Sequence, residues 1–270
     1  MATESSAYAF DNARRMQEQR LAALEELLDP GTIRCLDHRG VSQNWHCAEI
    51  GAGGGSIAIW LCQRVGAGGR VLATDIDTRI LRERCHEPNL EVLEHDVMVD
   101  KLPPESFDLV HARLLLAWLS EPAEALRRLV RAVKPGGLVV AEEMDFISVA
   151  ADPRLGEADG ELFVRAARAS NAALADVSGF DSAYGRRLAG EIAEAGLVDC
   201  GAEGRATMWR GGEAGGRVWR LTFEQLREPM VASGRISASE LDRVLGLCED
   251  PALSFLSQLT IAAWGRRAAA

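Results

Sequence analysis

Lysine is nearly missing from this chain. Only Lys101 and Lys134 occur among 270 residues, one ahead of Leu102-Pro103-Pro104 and the other ahead of Pro135-Gly136-Gly137. Neither reads as the desolvated amine that Schiff-base chemistry needs. A basic face is missing too, and the net charge of −10 argues against a nucleic-acid footprint. No apolar run reaches the length of a membrane span. The polar start Met1-Ala2-Thr3-Glu4-Ser5-Ser6 carries no secretory pattern, which makes the cytoplasm the expected location. The six cysteines (Cys35, Cys47, Cys62, Cys85, Cys200, Cys248) include no C-x-x-C pair. Without an export signal they read as reduced, mostly buried thiols. Neither His46-Cys47 nor Cys85-His86 has ligand spacing, so no metal is expected. Internal repeats and low-complexity tracts are absent. What remains is an ordinary soluble composition, 47% apolar and 26% charged, in a chain long enough for one large domain with an added lobe.

The most informative stretch is Cys47-Ala48-Glu49-Ile50-Gly51-Ala52-Gly53-Gly54-Gly55-Ser56. A short apolar run precedes it and a helix-like Ile57-Ala58-Ile59-Trp60-Leu61-Cys62 follows, so it reads as the turn from a first buried strand into a first helix. Glycines there let backbone approach a ligand, and the helix start offers unpaired N–H groups. The dinucleotide fingerprint wants a small residue, Gly or Ala, at the sixth position of the turn and a pyrophosphate nearby. Counting from Gly51 that position is Ser56, and Glu49 would face the anion. A carboxylate suits a cationic ligand better.

From Trp45 onward, strand and helix alternate. Strand Trp45 to Ile50 leads to helix Ser56 to Val65, and strand Arg70 to Asp77 ends in acid before helix Thr78 to Cys85. Asp75 lies a little over twenty residues past the glycine turn, where doubly wound folds place an acceptor for two ribose hydroxyls; Ile76 beside it is counted in the same site, and Asp77 is left to cap the helix. Leu90 to Val97 is a third strand that again closes on an acid, Asp96. Phe107-Asp108-Leu109-Val110-His111-Ala112-Arg113 is a fourth strand, followed by helix Pro122 to Val133, the stop Lys134-Pro135-Gly136-Gly137 and a fifth strand, Leu138 to Glu143. Such alternation implies a parallel sheet with right-handed crossovers and ligands at the carboxyl ends of the strands.

Taken together, Glu49-Ile50-Gly51-Ala52-Gly53-Gly54-Gly55, Asp75, Asp96, Phe107 to Val110 and Lys134 to Gly137 resemble the class I methyltransferases that use S-adenosyl-L-methionine, in their small-molecule branch. The resemblance covers Trp45 to Glu143. It implies an α/β, doubly wound, mostly parallel seven-stranded sheet closed by an antiparallel C-terminal hairpin, with N-terminal and inserted helical lid elements. In numbers, 1–40 would be an N-terminal helical cap, 41–150 the cofactor-binding core, 151–182 the lid, and 183–270 the part completing the sheet and substrate pocket. It also implies a site. Glu49 goes to the methionine end of the cofactor, and Gly51, Gly53 and Gly55 pass beneath it. Asp96 takes the adenine amino group and the Val97 N–H the ring, while His111 packs alongside. His111 and Glu143, at strand ends, are the candidate catalytic bases, with Asp145 close behind.

The acceptor implied is a small molecule, aromatic or heteroaromatic, on O, N or C. The stretch His111-Ala112-Arg113-Leu114 is unlike the Asn/Asp-Pro-Pro-aromatic run of DNA amino-methylases, and a homodimer is left open. Trp118, Phe146, Phe163, Tyr184, Trp219 and Phe223 supply candidates for an apolar pocket, though most of them read as core. Two other readings remain. One is a nicotinamide-dependent oxidoreductase, disfavoured by Glu49 and Ser56; the other is a non-catalytic partner subunit that keeps the fold.

The flanks are read from pattern alone. Asp11 to Leu28 is a helix stopped by Asp29-Pro30-Gly31, with a second short segment at Thr32 to Leu36. Tyr8 and Phe10 anchor the chain end, and Arg20 could meet the cofactor's carboxylate. Later segments are helices Leu155 to Val177 and Tyr184 to Ala195, a strand Leu197 to Met208, a flexible join at Gly211-Gly212 and Gly215-Gly216, helices Val218 to Val231 and Ser239 to Cys248, and a last strand Ser254 to Trp264.

Overall fold

A computed structural model of the chain describes residues 14–269. In chain order its elements are α1 (Arg14–His38), β1 (His46–Ile50), α2 (Ser56–Val65), β2 (Arg70–Asp75), α3 (Arg79–Arg84), β3 (Leu90–Glu94), β4 (Phe107–Arg113), α4 (Pro122–Ala132), β5 (Val133–Asp145), β6 (Ala150–Ala151) and α5 (Glu157–Ser178). Then follow α6 (Leu188–Glu194), β7 (Leu197–Arg205), β8 (Met208–Arg210), α7 (Ala214–Gln225), α8 (Arg227–Ala232), α9 (Ala238–Glu249), β9 (Ser254–Leu256) and β10 (Leu259–Arg267). No described helix is long and apolar enough to cross a membrane. By its contacts the chain divides into two compact units.

The first unit holds residues 28–144, 184–205 and 260–269. Its sheet has seven strands in the order β3-β2-β1-β4-β5-β10-β7. Pairs β2/β3, β1/β2, β1/β4 and β4/β5 are parallel, and β10/β7 is antiparallel. The strand order reverses between β1 and β4, which is the position where doubly wound sheets open a crevice at their carboxyl ends. Helix α2 buries Ile57, Ala58, Leu61, Cys62 and Val65, one face at helical spacing, against Cys47, Val71, Leu109 and Val140 of the sheet. Helix α4 buries Ala125, Leu126, Leu129 and Ala132 in the same way. The two last strands pair antiparallel as expected, but they form no tight hairpin, because residues 206–258 intervene.

The second unit holds residues 14–27, 145–183 and 206–259 among those described. Its sheet is small, in the order β6-β9-β8, and antiparallel. Trp209 and Phe255 face each other across it in register. Phe255 and Trp219 both pack on Phe163, with ring centroids 4.7 and 5.8 Å away, and Phe223 stacks on Trp219 at 5.1 Å.

Several boundaries differ from the expected ones. Helix α1 does not stop at Asp29-Pro30-Gly31; it runs on to His38 with Pro30 inside. Interior proline costs about 3 kcal/mol, so long-range partners must offset it. They are at hand: Leu28, Cys35 and Leu36 are buried, and Asp29 and Thr32 bond to Arg113. The segment expected as one strand from Ser254 to Trp264 is two, β9 in the small sheet and β10 in the large one. Ser257 N–H donates to the Thr207 carbonyl and Leu259 N–H to Ser148 Oγ, which breaks the ladder between them. Leu197 to Met208 likewise divides into β7 and β8. Gly215 and Gly216 are no flexible join: a Cβ on Gly215 would stand 2.5 Å from Trp209 Cβ, and one on Gly216 2.3 Å from the Cys248 carbonyl oxygen. Their bareness serves close packing inside α7. Tyr8 and Phe10 lie outside the described residues.

Candidate functional site

The glycine turn joins β1 to α2 as expected, and its backbone shows why glycine is needed. Gly55, just ahead of α2, has φ +87°, and a Cβ there would fall 2.3 Å from Cys85 Sγ. Gly51 has φ +70° and lies under Leu115, whose Cδ1 a Cβ would approach to 3.2 Å. Gly53, also at positive φ (56°), points its N–H at Asp75 Oδ2, 2.9 Å away.

Asp75 ends β2. Its other oxygen accepts from the Asp77 N–H at 3.1 Å. Burial pushes its carboxyl above the ordinary carboxylate range, against the backbone N–H groups of Gly53 and Asp77, which hold it down. Asp77 turns instead onto the Arg79 N–H at 3.1 Å, at the start of α3. Asp75 thus serves the glycine turn, and Asp77 serves the start of α3, whose N-cap position is held by Thr78. Ile76 between them is 60% exposed, unusual for an isoleucine and suited to covering a flat apolar face. Asp96, just past β3, folds its carboxylate onto the Met98 N–H at 2.8 Å, and Val97 beside it is buried.

Glu49 and His111 sit opposite each other on β1 and β4. Both are buried, and His111 Nδ1 lies 2.6 Å from Glu49 Oε2. His111 Nε2 has no partner among the described residues. Glu143, near the end of β5, is 1% exposed. Its Oε1 accepts from the Leu116 N–H at 2.6 Å and weakly from the Ala117 N–H at 3.4 Å, which ties it to the 3₁₀ turn Leu116–Trp118. Burial pushes this carboxyl up to about 8. Asp145 belongs to the second unit, and its carboxylate accepts from the Ile147 N–H at 3.2 Å. Of the six aromatics named from the sequence, Phe163, Tyr184, Trp219 and Phe223 are buried core residues.

The sequence reading missed a chain of polar side chains at the same end of the large sheet. Asp29, Arg113, Thr32, Glu142 and Arg205 are linked one to the next, and Thr32 and Glu142 are wholly buried. The only hint in the sequence was an interior Glu142 and an Arg113 at the strand tip, each without a local partner.

Comparison with known proteins bears on the same segment. Residues 48–141 match the family described as methyltransferase domain. Methyltransferase str3 of Strobilurus tenacellus is 32% identical over 124 residues, 43% of either chain. An uncharacterized methyltransferase of Schizosaccharomyces pombe is 29% identical over 117 residues, 43% of this chain and 40% of that one. The chain thus matches less than half the length of these curated relatives. Among solved structures, a methyltransferase-like protein of Bacillus halodurans superposes with a TM-score of 0.58 at 17% identity, over 87% of this chain and 98% of that one. Phosphoethanolamine N-methyltransferase 2 of Haemonchus contortus, in complex with S-adenosylhomocysteine, gives 0.59 at 14%, over 99% and 62%. At such identities the structures speak for the fold.

Proposed function

We infer, from the match of residues 48–141 to the methyltransferase domain family and from the Rossmann-like fold of the large sheet, that this chain moves a methyl group from S-adenosylmethionine to a small organic acceptor. The observation that carries the inference is the succession of carboxylates Glu49, Asp75 and Asp96 at neighbouring strand tips, beside a glycine turn held at positive φ. Bound S-adenosylmethionine supplies an electrophilic methyl group on a cationic sulfur. The residues present suit such a cation. His111 Nδ1 and Glu49 Oε2 form one buried pair, and His111 Nε2 has no partner among the described residues. Gly51, Gly53 and Gly55, all at positive φ, give the turn the shape that receives the ligand. Asp75 is the acceptor for the ribose hydroxyls, Ile76 covers the ring, and Asp96 with the Val97 N–H reads the adenine edge.

For the reaction itself the chain's task is orientation and exclusion of water, with reacting atoms held at roughly 3 to 3.5 Å. His111, whose Nε2 has no partner among the described residues, is the candidate base. Glu143 already holds its proton up to about pH 8 and serves to fix the 3₁₀ turn after β4. The small-acceptor reading rests on the net charge of −10, which opposes a polyanionic substrate. The buried aromatics give no support to an aromatic acceptor in particular.

Calorimetric titration with S-adenosylmethionine, S-adenosylhomocysteine and NADH tests this reading. Binding of the first two and not the third is expected, and Asp75→Ala should weaken it by about 1 to 3 kcal/mol. Folded protein that ignores both adenosyl compounds at millimolar concentration would end the proposal. Unchanged affinity in folded Asp75→Ala would remove that residue from the site.

A further inference from the structure

The glycine turn is held from outside its own strand and helix. Asp29, in α1, accepts at Oδ1 from Ser56 Oγ at 3.1 Å and from Arg113 Nη2 at 2.9 Å. Ser56 is the first residue of α2, next to Gly55, and Arg113 is the last of β4. Arg113 Nη1 donates to Thr32 Oγ1 at 3.0 Å, and Thr32 Oγ1 donates to Glu142 Oε2 at 2.5 Å. Glu142 Oε1 accepts from Arg205 Nη2, and Arg205 Nη1 reaches Glu203, each at 2.9 Å. Charges therefore alternate along the chain of contacts, from Asp29 through Arg113, Glu142 and Arg205 to Glu203.

We propose that Asp29 and Arg113 form a positioning clamp, which fixes Ser56 and through it the glycine turn in the shape that receives the cofactor. Three observations support a role beyond holding the fold. The contacts end on the residue adjoining the turn. Ser56, at a helix start where its hydroxyl could serve a local N–H, gives its proton to Asp29 instead. The clamp also sits where α1 keeps Pro30 and Gly31 in its interior against their propensity. Gly31 lets the Arg205 guanidinium lie close to α1, since a Cβ there would stand 2.8 Å from Arg205 Nε. Part-buried polar chains of this kind, with Thr32 and Glu142 buried at their centre, specify one arrangement rather than adding much net stability.

The clamp rests on the methyltransferase reading for its purpose but not for its existence, so two readouts separate them. Ser56→Ala removes one hydroxyl, Asp29→Ala both contacts, and Asp29→Asn keeps an oxygen for Ser56 while dropping the charge that Arg113 needs. Amide hydrogen exchange over residues 51–56, measured without ligand, should quicken in Ser56→Ala and Asp29→Ala and less in Asp29→Asn. Affinity for S-adenosylhomocysteine should fall in the same order, by about three- to tenfold for the first two, the loss of one or two hydrogen bonds. Wild-type exchange over 51–56 in folded Ser56→Ala overturns the clamp whether or not the adenosyl compound binds. Quickened exchange with unchanged affinity overturns its purpose. Should Asp29→Ala fail to fold, Ser56→Ala alone decides. Absence of binding to the wild-type chain, with exchange quickened as expected, strikes the methyltransferase reading and leaves the clamp standing.

Discussion

Glu143→Gln should flatten a pH dependence of stability that the wild-type chain carries. The folded carboxyl is pushed from its ordinary value of 4.5 up to about 8 by burial, against the N–H groups of Leu116 and Ala117. Between those two values an unfolded chain ionises this group while the folded chain keeps its proton. The unfolded state then binds fewer protons, so stability falls as pH rises. The contribution is complete below about 4.5, is lost progressively up to about 8, and is flat beyond. At about 1.36 kcal/mol per pH unit, the interval sets a ceiling of about 5 kcal/mol, and relaxation or water entry in the real protein lowers it. The glutamine oxygen can still accept from Leu116, while its amide nitrogen takes the place of Oε2, which has no partner among the described residues. That costs a constant offset without pH dependence. Denaturant unfolding of both proteins from pH 5 to 9, followed by tryptophan fluorescence and far-UV circular dichroism together, gives the difference curve. The variant should gain on the wild type by up to about 4 kcal/mol between pH 5 and 8.5. A difference constant within about 0.5 kcal/mol, the scatter usual for distant sites, would show that Glu143 is solvated or ionised in the fold, and would refute the assignment of its proton.

Other predictions follow from close packing and from burial. Gly55→Ala forces a Cβ to 2.3 Å from Cys85 Sγ and 2.9 Å from Leu81 Cδ2 at φ +87°, and should cost about 2 to 4 kcal/mol. Gly136→Ala, at φ +77° with nothing within 4 Å, should cost only the backbone share of about 1 to 2 kcal/mol; equal urea midpoints for the two variants would contradict the packing described. All six cysteines are free thiols, and Cys200 is exposed. Burial pushes Cys35 up to about 11 and Cys62 and Cys248 up to about 12. Iodoacetamide at pH 8 should therefore add one group to the native chain, seen by intact mass, and a second adduct before unfolding would contradict it.

What the sequence disclosed well was local. Ser56 to Val65 shows its apolar face within ten residues, and each acid-ended strand carries its own signal. The places where reading failed are those where a distant partner outweighs a local rule. Pro30 reads as a stop because the cost of interior proline is local, whereas Arg113, whose contacts with Asp29 and Thr32 help to offset it, lies far along the chain. Ser254 to Trp264 reads as one strand because apolar residues run through it, whereas its division depends on Thr207 and Ser148. Gly215 and Gly216 read as flexible because glycine is ambiguous until the neighbour that excludes a Cβ is known.

The same distinction bears on the site. Glu49 could be assigned a cationic neighbour from its place before the glycines, but a buried carboxylate is costly unless something holds it. The holder is His111, one strand away and in register. A lysine or arginine there would have cancelled the charge, and an apolar residue would have left the carboxylate to take up a proton. An imidazole at this place satisfies one oxygen through Nδ1, and on the proposed reading the pair keeps a negative charge for the sulfonium. At an effective dielectric constant of about 20, one such charge about 4 Å from a cation is worth about 4 kcal/mol before desolvation. That is enough to choose between a sulfonium and an uncharged thioether of the same shape. His111→Asn, which keeps an N–H for Glu49, should therefore preserve any preference for S-adenosylmethionine over S-adenosylhomocysteine. His111→Leu should erase it, and competitive titration of the two ligands distinguishes these outcomes.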